Sequence, residues 1–413
     1  MLHRLGPTWA SACGEWTRAN LDAVTDRPAA RLPLWTMLRA GFVRNLAVIA
    51  VVAVTCGPSH GTAAPPTSKS NASAARQQCP ANQTAPHFVP APPSNRNLEI
   101  IFFKASQRFV VRDITDILHP TTVSTFDDLW RAQFISSSEI SYTKGTDLIR
   151  FALAGSPKVV VAHCVATNAF AWNSTGTNAA YITINRDTSA AELHLVGGGR
   201  NRMASSMPPM GITGCESRAC IDDFDFRLMY SPDGGYISFI KNFGGAPNLR
   251  IWNSDGQLLQ SIDSSPTDFK AGPAMSAWSG DSFYWRDGQG IEMWRRGTQS
   301  LVLPGVRWIR PKASPGGNQI VYETRDVSGT AHVYLLDTRS NAPRELIKSR
   351  SEPAYLNAHL IWYQDERPCD AKDQCPPATA TIPSGKTYIY DLQDNTETES
   401  VIDTVWDVWP HAA

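Results

Sequence analysis

The feature that most constrains the fold of this chain is a strand and turn pattern over residues 230–256. Residues 236–240 form a strand-like run after the turn at residues 231–234, and a Gly-rich turn separates that run from residues 249–252. The Asp-Gly pair supplies the positive φ that a tight antiparallel reversal needs, and β-branched and aromatic residues fill the strands. The pattern predicts one up-and-down sheet, and it contains nothing typical of catalytic chemistry.

The same unit recurs along the chain with a period of about 35 to 50 residues. The two clearest turns consist of Ser231, Pro232, Asp233 and Gly234 in the first copy and of Ser314, Pro315 and Gly316 in the second. Weaker copies occupy residues 134–162, 171–195, 277–294 and 359–391. No amphipathic helix of useful length is visible, so the repeat predicts an all-β array rather than an α/β domain.

The two ends of the repeat region are incomplete in complementary ways. Residues 98–103 and 108–113 form a hairpin without an obvious preceding strand, whereas residues 404–409 form a strand without a following hairpin. Joining them completes one sheet and removes the edges that an open array would expose. We therefore predict an all-β, seven-bladed β-propeller, closed by pairing of its N- and C-terminal strands, with six or eight blades as alternatives.

The turns resemble those of the bacterial TolB-like, WD-repeat-related β-propellers, in which a Ser-Pro-Asp-Gly turn recurs between the first two strands of a blade. The resemblance covers residues 98–410 and is most specific at residues 231–235 and 314–317. It implies a binding platform, often without catalysis. The amino-terminal domain that accompanies TolB is not matched, so the resemblance does not extend to TolB's own partners.

The N-terminal region has the pattern of an export signal. Residues 37–56 contain a basic segment with Arg39 and Arg44, followed by the apolar run LAVIAVVAV. That run is too short to span a hydrocarbon layer of about 30 Å, which needs roughly 20 residues. We expect residues 1–36 to be an untranslated or disordered leader and the protein to leave the cytoplasm.

Cys56 follows the apolar run and resembles the lipidated cysteine of bacterial lipoproteins. The alternative is ordinary signal-peptidase cleavage within residues 57–64, with Cys56 discarded. Residues 57–96 are rich in Pro, Ala, Ser, Asn and Gln, a composition that cannot bury enough surface to fold. They are predicted to form a disordered tether, with the propeller at residues 97–413.

Six cysteines remain beyond the leader, in a compartment that permits disulfides. Two pairs enclose short polar loops, and a local disulfide in each would contribute roughly 2 kcal/mol by the loop-entropy estimate. The last pair would connect the tether to the domain. The predicted pairs are Cys215 with Cys220, Cys369 with Cys375, and Cys79 with Cys164. A zinc site is the alternative, but no paired histidine stands at ligand spacing beside these cysteines.

Charge and motif content exclude several functions. Lys plus Arg and Asp plus Glu number 38 each, so the formal net charge is zero and a nucleic-acid partner is not expected. The H-E-x-x-H and P-loop patterns do not occur, and no residues remain outside the repeats to build a hydrolase domain. We predict no catalytic residue, no cofactor and no metal ligand.

Two groups of residues leave a metal open as an alternative. The first comprises the acidic loops with Asp222, Asp223 and Asp225 and with Asp365, Glu366, Asp370 and Asp373. We interpret these as solvated loops, because neither has the spacing of a calcium loop. The second comprises strand histidines from different blades, His163, His194, His332 and His359.

These observations predict a non-catalytic scaffold that binds a protein or peptide outside the cytoplasm. The binding face would be built by blade-connecting loops, among them residues 203–221 and 364–384. The protein is expected to be a monomer that is held at the membrane by its lipid anchor. The alternative is a propeller enzyme that acts on a glycan or lactone through a metal in the central channel, which convergence of histidines and carboxylates on the axis would favour.

Overall fold

The computed structural model describes part of the chain in detail. The described residues are 82–90, 95–103, 108–127, 131–155, 158–166, 169–185, 190–209, 226–243, 246–263, 275–370, 373 and 381–409. They belong to the second of two units into which the chain divides, Met1–Arg76 and Gln77–Ala413. The predicted leader, signal, lipidation site and the tether up to residue 81 lie outside them. Within the described ranges no helix is long and apolar enough to cross a membrane.

Seven sheets of sequential antiparallel strands make up the described part of the chain. Blade 1 contains β2 (Leu98–Phe103), β3 (Arg108–Asp113), β4 (Thr121–Asp127) and β29 (Asp407–Trp409). Blade 2 contains β5 (Arg131–Ser136), β6 (Glu139–Lys144), β7 (Asp147–Ala152) and β8 (Val159–Ala162). Blade 3 contains β9 (Phe170–Trp172), β10 (Ala179–Ile184), β11 (Ala190–Gly197) and β12 (Arg200–Pro209), with β1 (Asn82–Thr84) as a fifth strand.

The remaining four sheets repeat the same order. Blade 4 contains β13 (Phe226–Tyr230), β14 (Tyr236–Phe243), β15 (Ala246–Asn253) and β16 (Leu258–Asp263). Blade 5 contains β17 (Ser276–Ser279), β18 (Ser282–Arg286), β19 (Gly290–Arg295) and β20 (Thr298–Pro304). Blade 6 contains β21 (Ile309–Ala313), β22 (Gln319–Arg325), β23 (Ala331–Asp337) and β24 (Ala342–Lys348). Blade 7 contains β25 (Arg350–Tyr355), β26 (Leu360–Pro368), β27 (Thr381–Asp391) and β28 (Thr396–Glu399).

The inner strand is the first strand in chain order in blades 2 to 7, and in blade 1 it is β29. Inner strands of neighbouring blades contact one another, as in the pairs β29 and β5, β9 and β13, β17 and β21, and β21 and β25. This arrangement places seven blades around a common axis, so the predicted all-β, seven-bladed propeller is confirmed. The connections alternate between two faces. One face carries the turns between the first and second strands, and the other carries the turns between the second and third strands.

The ring closes through blade 1, where strands from both ends of the propeller pair. Leu98 lies opposite Trp409 and Ile100 lies opposite Asp407 in an antiparallel register. The Trp406 backbone N–H donates to the Ile100 carbonyl at 2.9 Å, and the Phe134 backbone N–H donates to Asp407 Oδ2 at 2.8 Å. The predicted closure is therefore confirmed, although the last strand is shorter than the predicted residues 404–409.

The core lies mainly between blades and is rich in tryptophan. The indole rings that sequence analysis assigned to strands are all buried, namely those of Trp172, Trp252, Trp278, Trp285, Trp294 and Trp362. Burial of a large apolar side chain contributes on the order of 2 kcal/mol. The core therefore consists of several separate clusters at blade interfaces, which together hold neighbouring blades in register.

The prediction that residues 57–96 form a disordered tether is wrong for residues 82–90, which pack on the propeller. Asn82–Thr84 pairs with the outer edge of β12, and the Ala85 backbone N–H donates to the Gly199 carbonyl at 3.2 Å. Phe88 is buried against Trp172 with ring centroids 5.2 Å apart, and the Arg150 guanidinium lies 4.7 Å from the Phe88 ring. A free strand edge and one large aromatic residue thus hold residues 82–90 on the propeller despite their polar composition.

Candidate functional site

A cleft between blades 6 and 7 opens on the face that carries the turns between second and third strands. Its walls come from the inner strands β21 and β25 and from the long hairpin of β26 and β27. The hairpin strands include the two ends of residues 364–384, which sequence analysis expected to be a binding loop. The two ends of this range are strand, because β26 runs on to Pro368 and β27 begins at Thr381, and residues 371, 372 and 374–380 lie outside the described residues.

The inner strands β21 and β25 each contain a β-bulge at this cleft. In β21, Arg310 and Pro311 lie between paired positions, and in β25, Glu352 and Pro353 do the same. Arg310 has a φ of 51° and Glu352 a φ of 54°, a left-handed conformation that costs a residue with a Cβ about 1 kcal/mol. Bulges re-aim side chains, and proline is tolerated there because it has no N–H to give to the ladder.

The two bulged residues meet across the blade boundary. Because the bulges occupy equivalent positions in neighbouring inner strands, Arg310 Nη1 and Glu352 Oε1 form an ion pair. Both side chains are about one-third exposed, at 36% and 37%. The pair therefore forms the solvent-facing rim of the cleft.

Behind the rim, two buried carboxylates share one guanidinium. Arg325 donates to both oxygens of Glu366, at 2.6 and 3.2 Å, and its Nη2 lies 3.0 Å from Glu323 Oε1. Glu323 Oε2 accepts the Glu352 backbone N–H at 3.1 Å, and Glu366 also accepts the Thr381 hydroxyl. These hydrogen bonds join β22, β25, β26 and β27 into one network.

Burial controls the titration of this network. Desolvation raises the pKa of Glu323 above its ordinary value of 4.5, although the Glu352 backbone N–H and Arg325 lower it in part. Burial opposes the charge on Arg325, but its hydrogen bonds to Glu366 and its attraction to Glu323 outweigh burial and raise its pKa. Arg325 therefore stays charged, while burial makes Glu323 easier to protonate than a glutamate in water.

The network borders a cavity of about 320 Å³. Its lining consists of Arg310, Arg325, Ser351, Glu352, Glu366, Thr381, Ile382 and Pro383. Ser351 is only 2% exposed, and its hydroxyl has no hydrogen-bond partner among the described residues. A buried hydroxyl without a partner is costly, so this one is available to a ligand group.

A second cavity, of about 260 Å³, lies on the opposite face between blades 3 and 4. Its charged lining residues are Arg200 and Arg202, which are exposed, and Asp255. Arg202 Nη2 is already bound to the Asp255 carbonyl at 3.0 Å. Exposed arginines beside turn backbone provide less fixed geometry than the buried network of blades 6 and 7.

The repeat turns that sequence analysis identified are structural. Ser231 is fully buried, and its hydroxyl accepts the Tyr236 backbone N–H at 2.9 Å, while Asp233 Oδ1 accepts the Gly235 N–H at 2.9 Å. Gly234 has a φ of 71°, as the Asp-Gly pattern predicts. In the second copy the Ser314 hydroxyl accepts from the Gln319 N–H at 3.2 Å, and the left-handed residue is Gly317, with a φ of 63°, rather than Gly316.

The strand histidines do not converge on the axis within the part of the chain that the structure describes. His194 Nε2 lies 3.1 Å from the Thr183 hydroxyl inside blade 3. His332 lies between Glu345 at 2.9 Å and Asp326 at 3.2 Å within blade 6. The other two are His163, which contacts Asp147, and His359, in a turn of blade 7. Among the described residues, no three His, Cys, Asp or Glu side chains are placed to hold a metal ion.

The prediction that Asp365, Glu366, Asp370 and Asp373 form a solvated acidic loop is wrong for Glu366. Glu366 is a strand residue with a side chain only 1% exposed, because the extension of β26 turns it into the cleft. Asp365 pairs with Arg350, and Asp373 accepts from Arg367 at 2.7 Å. Among the described residues, these carboxylates are paired with arginines. The other acidic group, Asp222, Asp223 and Asp225, lies outside the described residues.

Two of the predicted disulfide cysteines lie in the described part of the chain. Cys164, after β8, and Cys369, after β26, are each disulfide-bonded. The remaining predicted residues, Cys56, Cys79, Cys215, Cys220 and Cys375, lie outside the described residues. The three pairings and the lipidation therefore stay predictions.

Sequence reasoning missed Arg310, Glu323, Glu352 and Ser351. Two signals could have found them. Proline follows both Arg310 and Glu352 inside an inner strand, which indicates a bulge. Glu323 and Arg325 alternate directly after an apolar strand run, so both point to the same face of the strand.

No protein-family model matches the chain, and no curated protein is significantly similar to it. Among solved structures, the chain is similar to TolB from Acinetobacter baumannii, at 13% identity and a TM-score of 0.43, over 78% of this chain and 66% of that one. It is also similar to the β-propeller domain of the Trilobed protease from Pyrococcus furiosus, at 8% identity and a TM-score of 0.41, over 73% and 84% of the two chains. A third likeness is to dipeptidyl peptidase 4 from Porphyromonas gingivalis, at 11% identity and a TM-score of 0.45, over 74% and 50%. These likenesses concern the fold, and the chain spans about two thirds of TolB and half of the peptidase.

Proposed function

We propose that this protein is a non-catalytic, extracytoplasmic propeller that binds a protein or peptide segment in the cleft between blades 6 and 7. The observation that carries the proposal is the cavity itself, which combines a strained rim pair with a buried hydroxyl that has no partner. Backbone strain of this kind persists where the surroundings impose it, and it concentrates at binding sites. The export signal predicted at residues 37–56 supports the location outside the cytoplasm, and the position of Cys56 after the apolar run supports a lipid anchor.

A binding role suits the chemistry of the cleft better than catalysis. The buried carboxylates already have their oxygens occupied by Arg325, Thr381 and backbone, so neither is placed as a free base. The cleft instead offers fixed polar groups along a concave wall, which is the arrangement that orients a bound segment. Ile382 and Pro383, near the start of β27, line this wall of the cleft.

Site-specific photocrosslinking in cells tests the proposal. A benzophenone amino acid replaces Pro383 at the cleft, and in a control it replaces Leu118, which is 62% exposed on the opposite face. We expect a discrete protein or peptide adduct from position 383 and none of the same mass from position 118. Equal labelling from both positions, or no adduct from position 383, would contradict binding at this cleft.

A further inference from the structure

The cleft between blades 6 and 7 has an unbalanced set of charges. Among the described residues, three carboxylates, those of Glu323, Glu352 and Glu366, face two guanidinium groups, those of Arg310 and Arg325, which leaves one formal negative charge when all three carboxylates are ionised. The side chains of Glu323 and Glu366 are 2% and 1% exposed, so water screens them poorly. An incoming positive charge would complete the balance, whereas an incoming carboxylate would add a fourth negative charge.

Two hydrogen-bond acceptors in the cleft are available to a positively charged ligand group that donates N–H bonds. Glu352 Oε1 is paired with Arg310, but the contact that the structure gives for Oε2 is a long one, 3.5 Å from Gln364 Nε2. The Ser351 hydroxyl is nine-tenths buried or more, lines the cavity and has no partner among the described residues. This hydroxyl is independent of the charge count, and it too is suited to an N–H donor.

We infer that the cleft binds one positively charged side chain, that of Lys or Arg, on the partner peptide. The inference rests on the proposed function and names the chemistry of its ligand. The ligand's N–H groups donate to Glu352 Oε2 and to the Ser351 hydroxyl, while Glu323 and Glu366 contribute attraction through the poorly screened interior. A cavity of about 320 Å³ is at the small end of ligand sites, so it accommodates a single side chain.

The change in peptide affinity on substitution of Arg310 distinguishes a cationic ligand from an anionic one. Its guanidinium lies at the rim and repels a cationic ligand, so Arg310→Gln is expected to strengthen binding of a Lys or Arg peptide several-fold. If the ligand were a carboxylate, Arg310 would be its natural partner and the same substitution would remove binding. The two ligand classes therefore predict opposite effects of one substitution.

Binding of defined peptide pools to the purified full-length chain provides the test. The pools have blocked ends, randomised flanking residues and a fixed central residue, which is Arg, Lys, citrulline or Glu. We expect the Arg and Lys pools to bind, the citrulline pool to bind about tenfold more weakly, and binding to weaken with salt. Citrulline has nearly the shape of Arg but no charge, so it separates electrostatic recognition from fit.

Two substitutions test whether the Arg pool binds in the cleft between blades 6 and 7. Glu352→Gln is expected to weaken the Arg pool about tenfold, because it removes the exposed rim charge. The control is Glu399→Gln, which removes a negative charge of the same blade from a side chain that is 59% exposed and paired with Lys386 outside the cleft. It should leave the affinity unchanged, and thermal unfolding checks that each variant folds.

Three results would overturn the inference. Preferred binding of the Glu pool, lost on Arg310→Gln, would replace the cation by a carboxylate and leave the proposed function intact. Equal binding of Arg and citrulline would exclude charge recognition and also leave peptide binding intact. Binding by none of the pools, together with no adduct from the probe at position 383, would remove both the inference and the proposed function.

Discussion

The interface between blades 4 and 5 is filled by aromatic rings, whereas the loop end of the interface between blades 6 and 7 is filled by charged side chains. In the first, Trp294 packs edge-on against Tyr236 and Trp278, with centroids 5.1 and 6.2 Å apart. In the second, Arg325 joins Glu323 and Glu366 beside a cavity. The same repeat unit thus supports an aromatic packed interface at one boundary and a polar cleft at another.

The difference shows where this protein places stability and where it leaves room for a ligand. Aromatic burial stabilises without a partner, and its geometry leaves little empty volume. A buried charged network contributes little net stability because desolvation offsets the ion pairs. A cavity that combines a charged network with an unpartnered hydroxyl is therefore understandable as a binding feature.

The largest expected effect comes from the aromatic interface. Trp294→Ala removes a fully buried ring and is expected to lower the free energy of unfolding by about 4 kcal/mol. Trp294→Phe should cost much less, because the Trp294 indole N–H has no partner among the described residues and its loss carries no hydrogen-bond penalty. Denaturant unfolding measures both. A similar cost for the two variants would show that the interface needs the whole indole and that a smaller aromatic ring does not stabilise it.

Loss of Arg325, the central cation between blades 6 and 7, should lower the free energy of unfolding by less than Trp294→Ala does. Arg325→Met leaves Glu323 and Glu366 without their guanidinium, and we expect a loss of about 3 kcal/mol. Adding Glu323→Gln and Glu366→Gln to this variant should restore most of the stability, because no buried charge then remains. Chemical denaturation of the single and triple variants checks this. A triple variant as unstable as the single one would contradict the electrostatic account.

The two interfaces should also differ in their response to pH. Because burial raises the pKa of Glu323, its favourable contribution is fully present below the ordinary pKa of 4.5 and is lost as pH rises through the folded-state pKa. The stability of Glu323→Gln relative to the natural protein should therefore increase with pH above 4.5, by about 1.4 kcal/mol per pH unit between the two pKa values. Unfolding from pH 4 to 8 measures the difference. A constant difference would mean that Glu323 titrates normally.

The smallest effect distinguishes two buried serines. The Ser238 hydroxyl accepts the Trp278 indole N–H at 2.8 Å, so Ser238→Ala should cost about 1 to 2 kcal/mol. Ser351→Ala removes a hydroxyl without a partner and should change stability by less than about 0.5 kcal/mol, while weakening binding of the Arg pool. Parallel unfolding and binding measurements separate the two roles. Unchanged binding by Ser351→Ala would exclude the hydroxyl from the site.

The fold could be predicted from sequence, because alternating strands, Asp-Gly turns and the two incomplete ends are local signals that need no knowledge of distant contacts. It predicted the strand bounds 98–103 and 108–113 and the pairing that closes the ring, and the structure has both. The end of the tether was misjudged, since Phe88 and a free strand edge act only once blade 3 exists.

The site, in contrast, could not be predicted, because it depends on contacts between residues that are distant in sequence. Arg310 and Glu352 lie 42 residues apart in sequence and meet because two bulges occupy equivalent positions in neighbouring blades. A change of one residue in strand register moves a side chain to the other face of its sheet, and composition carries no record of such a shift. The charge balance of the cleft therefore follows from the register of β21, β25 and β26 rather than from any motif.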